Sequence, residues 1–154
     1  MFFIHHSEKP LRLRDLEDRD PERYATDRGC KPHGLWFSVG DGADWRALVT
    51  ARWPRSNGIR CWTEVVLAAK AIILRLTAAD DIDAFTTEYA RTGDNESQSI
   101  EWARVASEVD GIIIASHCRQ RESDNETRWY GCWEVSCGCV WRTRAVECLR
   151  PINY

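Results

Sequence analysis

The chain has 154 residues, 44% of them hydrophobic and 29% charged, with a net charge of −3. That length buries roughly two thirds of the surface its unfolded chain exposes, so a single domain over residues 1–154 is expected, with no staple needed for stability. The charge balance argues against a generally basic nucleic-acid or acidic-membrane binder, and no apolar run approaches the length of a membrane span.

The opening "FFIHH" (Phe2 to His6) reads as a short strand. Only four apolar residues precede the histidines and charges, which is not the pattern of a secretory leader. A cytoplasmic, reducing setting with free thiols is therefore expected. The polar stretch from Lys9 to Arg28, punctuated by Pro10 and Pro21, reads as a surface loop with at most one helical turn. "GLWFSV" (Gly34 to Val39) reads as a second strand closed by "GDG", and "ADWRALVTARW" has the spacing of a short helix. "RCWTEVVLAAK" and "AIILRL" are β-branched, apolar runs that predict two strands. Thr77 followed by Asp80 resembles a capping box in front of a helix whose face is marked by Ile82, Phe85 and Tyr89. After the loop "TGDNESQS", Trp102, Val105, Ala106 and Val109 fall at i, i+3, i+4 and i+7, which predicts an amphipathic helix. "IIIAS" reads as a buried strand. The polar loop "RQRESDNET" leads to "RWYGCWEVSCGCVW" (Arg128 to Trp141), expected as one or two strands broken near Gly138. "AVECL" is a last short strand. The pattern is α+β, with many short strands, two or three helices and no regular βαβ alternation.

Seven cysteines and eight tryptophans set this composition apart. Cys132, Cys137, Cys139 and Cys148, with His117 and Cys118 upstream, lack the C-x2-C knuckle of structural zinc sites, so no metal is expected. On a strand, Cys137 and Cys139 share a face and Cys132 takes roughly the other. Adjacent strand residues diverge, so His117 and Cys118 do not make a nucleophile–base pair by themselves. The seven thiols therefore read as small buried hydrophobes. His5 and His6 end the first strand. Alternation directs one of them inward, where an imidazole beside the Ser7 hydroxyl forms a polar anchor for a ligand. An aromatic at Trp36 is core or a wall for a flat heterocycle.

In order, these pieces resemble the ADP-ribosyltransferases of the diphtheria-toxin and poly-ADP-ribose polymerase type. "FIHHS" is similar to the H-x-[ST] opening strand, and "KPHGLWFSV" to the second motif strand, with Trp36 where tyrosine is usual. "TEVVL" resembles the strand that follows. "EVDGIII" resembles the strand before the catalytic one. "KPHGLWFSV", "DIDAF" and "WYGCWEVSCGCVW" are also similar to stretches of small prokaryotic and phage proteins. The resemblance spans nearly the whole chain. It implies split mixed and antiparallel sheets with flanking helices, and NAD as substrate. It further implies a protein or nucleic-acid acceptor, and an antitoxin or host target as a partner.

Carried over by motif, His5 bonds the ribose of the nicotinamide half. His6 stands where the family has a glycine whose backbone holds the carboxamide, and Ser7 matches the small hydroxyl. Trp36 matches the motif tyrosine, and Ser38 faces the same side. Trp45 is placed by distance to stack on nicotinamide. The family's catalytic glutamate falls at or next to Cys137, and the nearest acid is Glu134. On a regular strand Glu134 faces opposite to Cys137, unless a bulge or another register brings it in. A catalytically degenerate binding protein of the same fold is the alternative that this departure favours. An RNA 2′-phosphotransferase is a second alternative, but it needs a basic phosphate-binding set that the sequence lacks.

Overall fold

Seven short β-branched and aromatic runs pair into one mixed sheet in this computed structural model, which describes residues 1–23, 30–40, 43–52, 60–91, 99–125 and 127–152. The strands are β1 (Phe3–Ser7), β2 (Leu35–Val39), β3 (Cys61–Leu67), β4 (Ile73–Leu76), β5 (Gly111–Ile114), β6 (Cys137–Val140) and β7 (Val146–Ile152). Their order across the sheet is β4-β5-β6-β2-β1-β3-β7. Only β4 and β5 are parallel; every other neighbour pair is antiparallel. The helices are α1 (Ala43–Arg52), α2 (Ala79–Tyr89), α3 (Trp102–Glu108) and the single turn α4 (Arg119–Glu122). The α+β class holds.

The expected split into separate sheets is corrected. β2 is hydrogen-bonded to β1 on one side and to β6 on the other, which joins the halves. The join is narrow. β1 and β2 pair only at Phe3–Val39 and Ile4–Ser38. Beyond that point β1 continues along β3, from His5–Thr63 to Ser7–Cys61. β2 continues along β6, with Trp36 opposite Cys139 and Leu35 opposite Val140. One sheet thus opens into a fork, and the fork positions the site.

Helices cover one face. Ile82 and Phe85 of α2, and Trp102 and Val105 of α3, pack with Ile112 and Ile114 of β5 and with Cys137 and Cys139 of β6. Ile113 and Val140, at the alternate positions, join Phe3, Phe37 and Val65 on the other face. This is strand alternation in a two-sided core. Gly138 shows how tightly that second face is filled. A β-carbon there would lie 2.5 Å from the Phe37 ring and 2.9 Å from Ile113.

Three local expectations change. The acid that starts α2 is Asp81, not Asp80. Its Oδ2 accepts from the backbone N–H and hydroxyl of Thr77 and from the N–H of Ala78. Ala78 occupies the N-cap, which moves the third helical residue one position along. The front of "RWYGCWEVSCGCVW" is not a strand but a 3-10 turn, Arg128–Cys132, and only Cys137–Val140 is extended. Trp129, Tyr130 and Trp133 are all fully buried, at i, i+1 and i+4, a helical spacing that period-two alternation cannot satisfy. Cys132 therefore packs against the same cluster as Cys137 and Cys139, not on the opposite face. Finally, α4 lies in a stretch expected as loop, since it buries no residue and carries no apolar periodicity. The polar segment after β1 holds one 3-10 turn, Leu13–Asp15. Residues 24–28 of that segment, 41–42 of "GDG" and 92–98 of the later loop lie outside the described residues.

Candidate functional site

Where β1 and β2 part, the ladder can no longer serve the Trp36 carbonyl from β1. The His5 side chain takes over, with Nδ1–H donating to that carbonyl at 2.7 Å. A carbonyl only accepts, so the proton sits on Nδ1 and Nε2 carries a lone pair. Burial pushes the His5 imidazole below its usual value, with the bond to Trp36 working the other way. His5 is a neutral ring in a fixed tautomer.

His6 is tied to the opposite branch. Ser38 Oγ donates its one proton to the Ile4 carbonyl at 3.1 Å. It then has only lone pairs to offer His6 Nε2, 3.1 Å away, so Nε2 carries the proton. The His6 ring stands edge-on to Trp62, with centroids 4.4 Å apart. Its pKa is lowered to about 4 by burial, by His5 and by Arg46.

Both histidines line a cleft of about 250 Å³, together with Trp36, Ser38, Trp45 and Glu134. The expectation that only one histidine faces inward fails because the strand end borders the fork. Six of the seven residues singled out from sequence therefore meet in one place. Ser7 does not join them. Its hydroxyl donates to the Lys9 carbonyl, and its strand segment runs beside β3, away from β2.

Glu134 reaches the cleft by a route the strand argument did not offer. The register between β2 and β6 runs unbroken from Leu35–Val140 to Ser38–Cys137, with no bulge at Gly138. Glu134 lies before the strand begins, in the irregular link after the 3-10 turn, so alternation does not apply to it. Glu134 and Cys137 consequently both line the cleft. Cys137 is a poor nucleophile there: burial pushes its thiol up to about 12, Lys31 opposes the shift and Glu134 adds to it.

Lys31 and Leu48 also line the cleft and were missed. Leu48 was legible, being three residues beyond Trp45 on α1 and so on the same helical face. Lys31 carried no signal in its spacing. It is placed by the fold, with Nζ 5.4 Å from the centre of the Trp36 ring.

Comparisons with family models, with curated proteins and with solved structures return no match for this chain. The reading of the site rests on its own chemistry.

None of the seven cysteines is in a disulfide, and the expectation that all are buried is corrected: Cys30, Cys137 and Cys139 are buried, while Cys61, Cys118, Cys132 and Cys148 are half-buried. Cys118 is held by its backbone N–H, which donates to the Tyr130 hydroxyl at 2.8 Å. His117 stacks on Tyr130 at 5.5 Å, with Nε2 3.4 Å from a Glu122 carboxylate oxygen. Among the described residues no helix is long and apolar enough to cross a membrane.

Proposed function

We propose that this protein is an NAD-consuming enzyme of the ADP-ribosyltransferase type, which cleaves the bond between nicotinamide and ribose and transfers ADP-ribose to a protein or nucleic-acid acceptor. The observation that carries the reading is the meeting of Glu134 with His5, His6, Trp36, Ser38 and Trp45 in one cleft. The volume of about 250 Å³ lies just below the usual range for ligand pockets, roughly 300–1,000 Å³. It suits one heterocycle and its sugar, with the rest of a dinucleotide running outside.

Loss of nicotinamide leaves an oxocarbenium-like ribose, as in glycoside hydrolysis. The Glu134 carboxylate supplies the negative charge that stabilises such a centre, and accepts a hydrogen bond from a ribose hydroxyl. His5, with Nδ1–H fixed on Trp36, offers Nε2 as acceptor to a second hydroxyl. The Trp36 and Trp45 rings give the cleft aromatic walls that hold a flat leaving group in line.

A binding protein of the same architecture without chemistry is the second reading. It is favoured by Cys137, a buried, protonated thiol at or next to the position that the resemblance assigns to a glutamate. Incubation with NAD while nicotinamide release is followed separates the two. Release that falls by about a thousandfold in Glu134→Gln, with an unchanged melting temperature, supports the enzyme. NAD binding with no release in the parent chain supports the binding protein.

A further inference from the structure

Lys31 reaches the cleft from an anchored stretch of chain. The next residue, Pro32, is buried, and its carbonyl accepts the Trp36 Nε1–H at 3.1 Å. That bond, together with the Trp133 ring 4.8 Å away, holds the Trp36 indole in place. The Lys31 ammonium stands over this fixed ring, 5.4 Å from its centre. It is a cation seated on the negative face of an aromatic wall.

Lys31 and Glu134 are the charged residues of the cleft lining among the described residues, since burial keeps His5 and His6 neutral and Cys137 protonated. Both charges are felt inside the site. They act on the Cys137 thiol in opposite directions.

A flat ring that takes the Trp36 face must sit beside this ammonium. A neutral ring tolerates the neighbour. A cationic ring meets like charge a few ångströms away, where repulsion is stronger than in bulk water, and competes with Lys31 for the same face. We propose that Lys31 reads the charge of the ring on Trp36, disfavouring a cationic ring and favouring a neutral one. No motif carries Lys31 into the site; its place over Trp36 does.

The consequence for catalysis rests on the NAD reading. The ring of NAD is a pyridinium. When its bond to the ribose carbon breaks, the electron pair passes to the ring nitrogen. The ring leaves neutral, and the positive charge moves to the ribose, where Glu134 meets it. Repulsion from Lys31 is present in bound NAD and fades as the bond breaks. Lys31 thus raises the bound substrate in energy and leaves the transition state nearly unaffected.

The test uses the full chain and two probes of almost one shape, quinoline and the N-methylquinolinium cation, in calorimetry at neutral pH. Quinoline is expected to bind about tenfold more tightly than the cation. Lys31→Met should shrink that gap to about twofold, and Lys31→Arg should keep it. Arg46, which stands over Trp62 and acts on His6, adds to the positive field, so the change between Lys31 variants is the decisive quantity. A readout without a variant is salt, which should narrow the gap in the parent chain. With NAD, Lys31→Met should lower kcat and KM together by about tenfold and leave kcat/KM nearly unchanged. A cation that binds the parent chain as tightly as quinoline, a gap unmoved by Lys31→Met, or no binding of either probe overturns the proposal. So does a KM for NAD that stays the same or rises in Lys31→Met. A charge preference that depends on Lys31, in a chain that does not cleave NAD, leaves the role of Lys31 standing and removes the NAD reading. Cleavage of NAD with no such preference does the reverse.

Discussion

The helical face of the sheet and the fork between β1 and β2 are built from the same residue types and behave as opposites. On the helical face, Trp102, Trp129, Trp133 and Trp141 are fully buried and meet edge-on or tilted, with ring centres 6.1 to 6.4 Å apart in the pairs Trp102–Trp129, Trp129–Trp133, Trp102–Trp133 and Trp102–Trp141. The N–H groups of Trp129, Trp133 and Trp141 are each spent on an internal acceptor. In the fork, Trp45 and His6 keep a donor and an acceptor unspent. The difference teaches that tryptophan content alone does not mark a site. Trp45 differs from those core rings in that the polar atom of its ring has not been used inside the protein.

The comparison breaks most visibly in stability. Trp129→Ala on the helical face removes a fully buried ring and its bond to Thr86, and should cost about 3–5 kcal/mol. Denaturant unfolding followed by far-UV circular dichroism measures it, and a cost below 1 kcal/mol, the size of a surface substitution, would sink the view of this ring as a keystone of the core. Gly138→Ala comes next. The added methyl would meet Phe37 and Ile113, and overpacking of that kind costs about 1–3 kcal/mol. The same unfolding experiment reads it, and an unchanged midpoint would mean that Phe37 moves aside freely.

A smaller effect follows from His6. Its folded pKa of about 4 lies below the ordinary 6.5, so between these values the unfolded chain binds a proton that the folded chain does not. Stability is therefore complete above pH 6.5 and declines as pH falls towards 4, and His5, lowered in the same direction, adds to the decline. Melting temperatures measured across that window should drop with acid in the parent chain and flatten in His6→Gln. A flat profile in the parent chain would show that the imidazole is not buried neutral. The smallest effect is expected at Trp45. Trp45→Phe removes an unpaired buried N–H along with some contact area, so stability should stay within about 0.5 kcal/mol or rise. A loss as large as that of Trp129→Ala would place Trp45 in the core and not at a site.

Much of the local structure was legible from periodicity. The runs at Leu35–Val39, Cys61–Leu67 and Gly111–Ile114 are strands, and the stripe from Trp102 to Val109 is a helix with its C-cap, because each pattern matches one repeat over its whole length. "RWYGCWEVSCGCVW" was misread at its front because Trp129, Tyr130 and Trp133 answer to a core that already contains α2 and α3. Nothing in the local alternation reveals those partners. The capping acid slipped by one residue for a related reason: helix starts are fixed by which N–H groups lack a partner, and that depends on the preceding strand β4.

The sequence alone determined the element types and the α+β class, since residue type and periodicity carry that information along the chain, while the shortlist of His5, His6, Trp36, Ser38, Trp45 and Glu134 was what the resemblance of its motifs implied. Only the tertiary structure decided that these six share a cleft. Pairing between distant strands opens the fork after Ile4 and Ser38, and the turn before β6 brings Glu134 to it. Only the structure, too, decided that Ser7 stands apart and that Lys31 stands within. Above all, it separated Trp36, Trp129, Trp133 and Trp141, whose N–H groups are satisfied, from Trp45, whose buried N–H has no partner among the described residues. A hydrogen bond between residues far apart in sequence leaves no trace in the spacing of either.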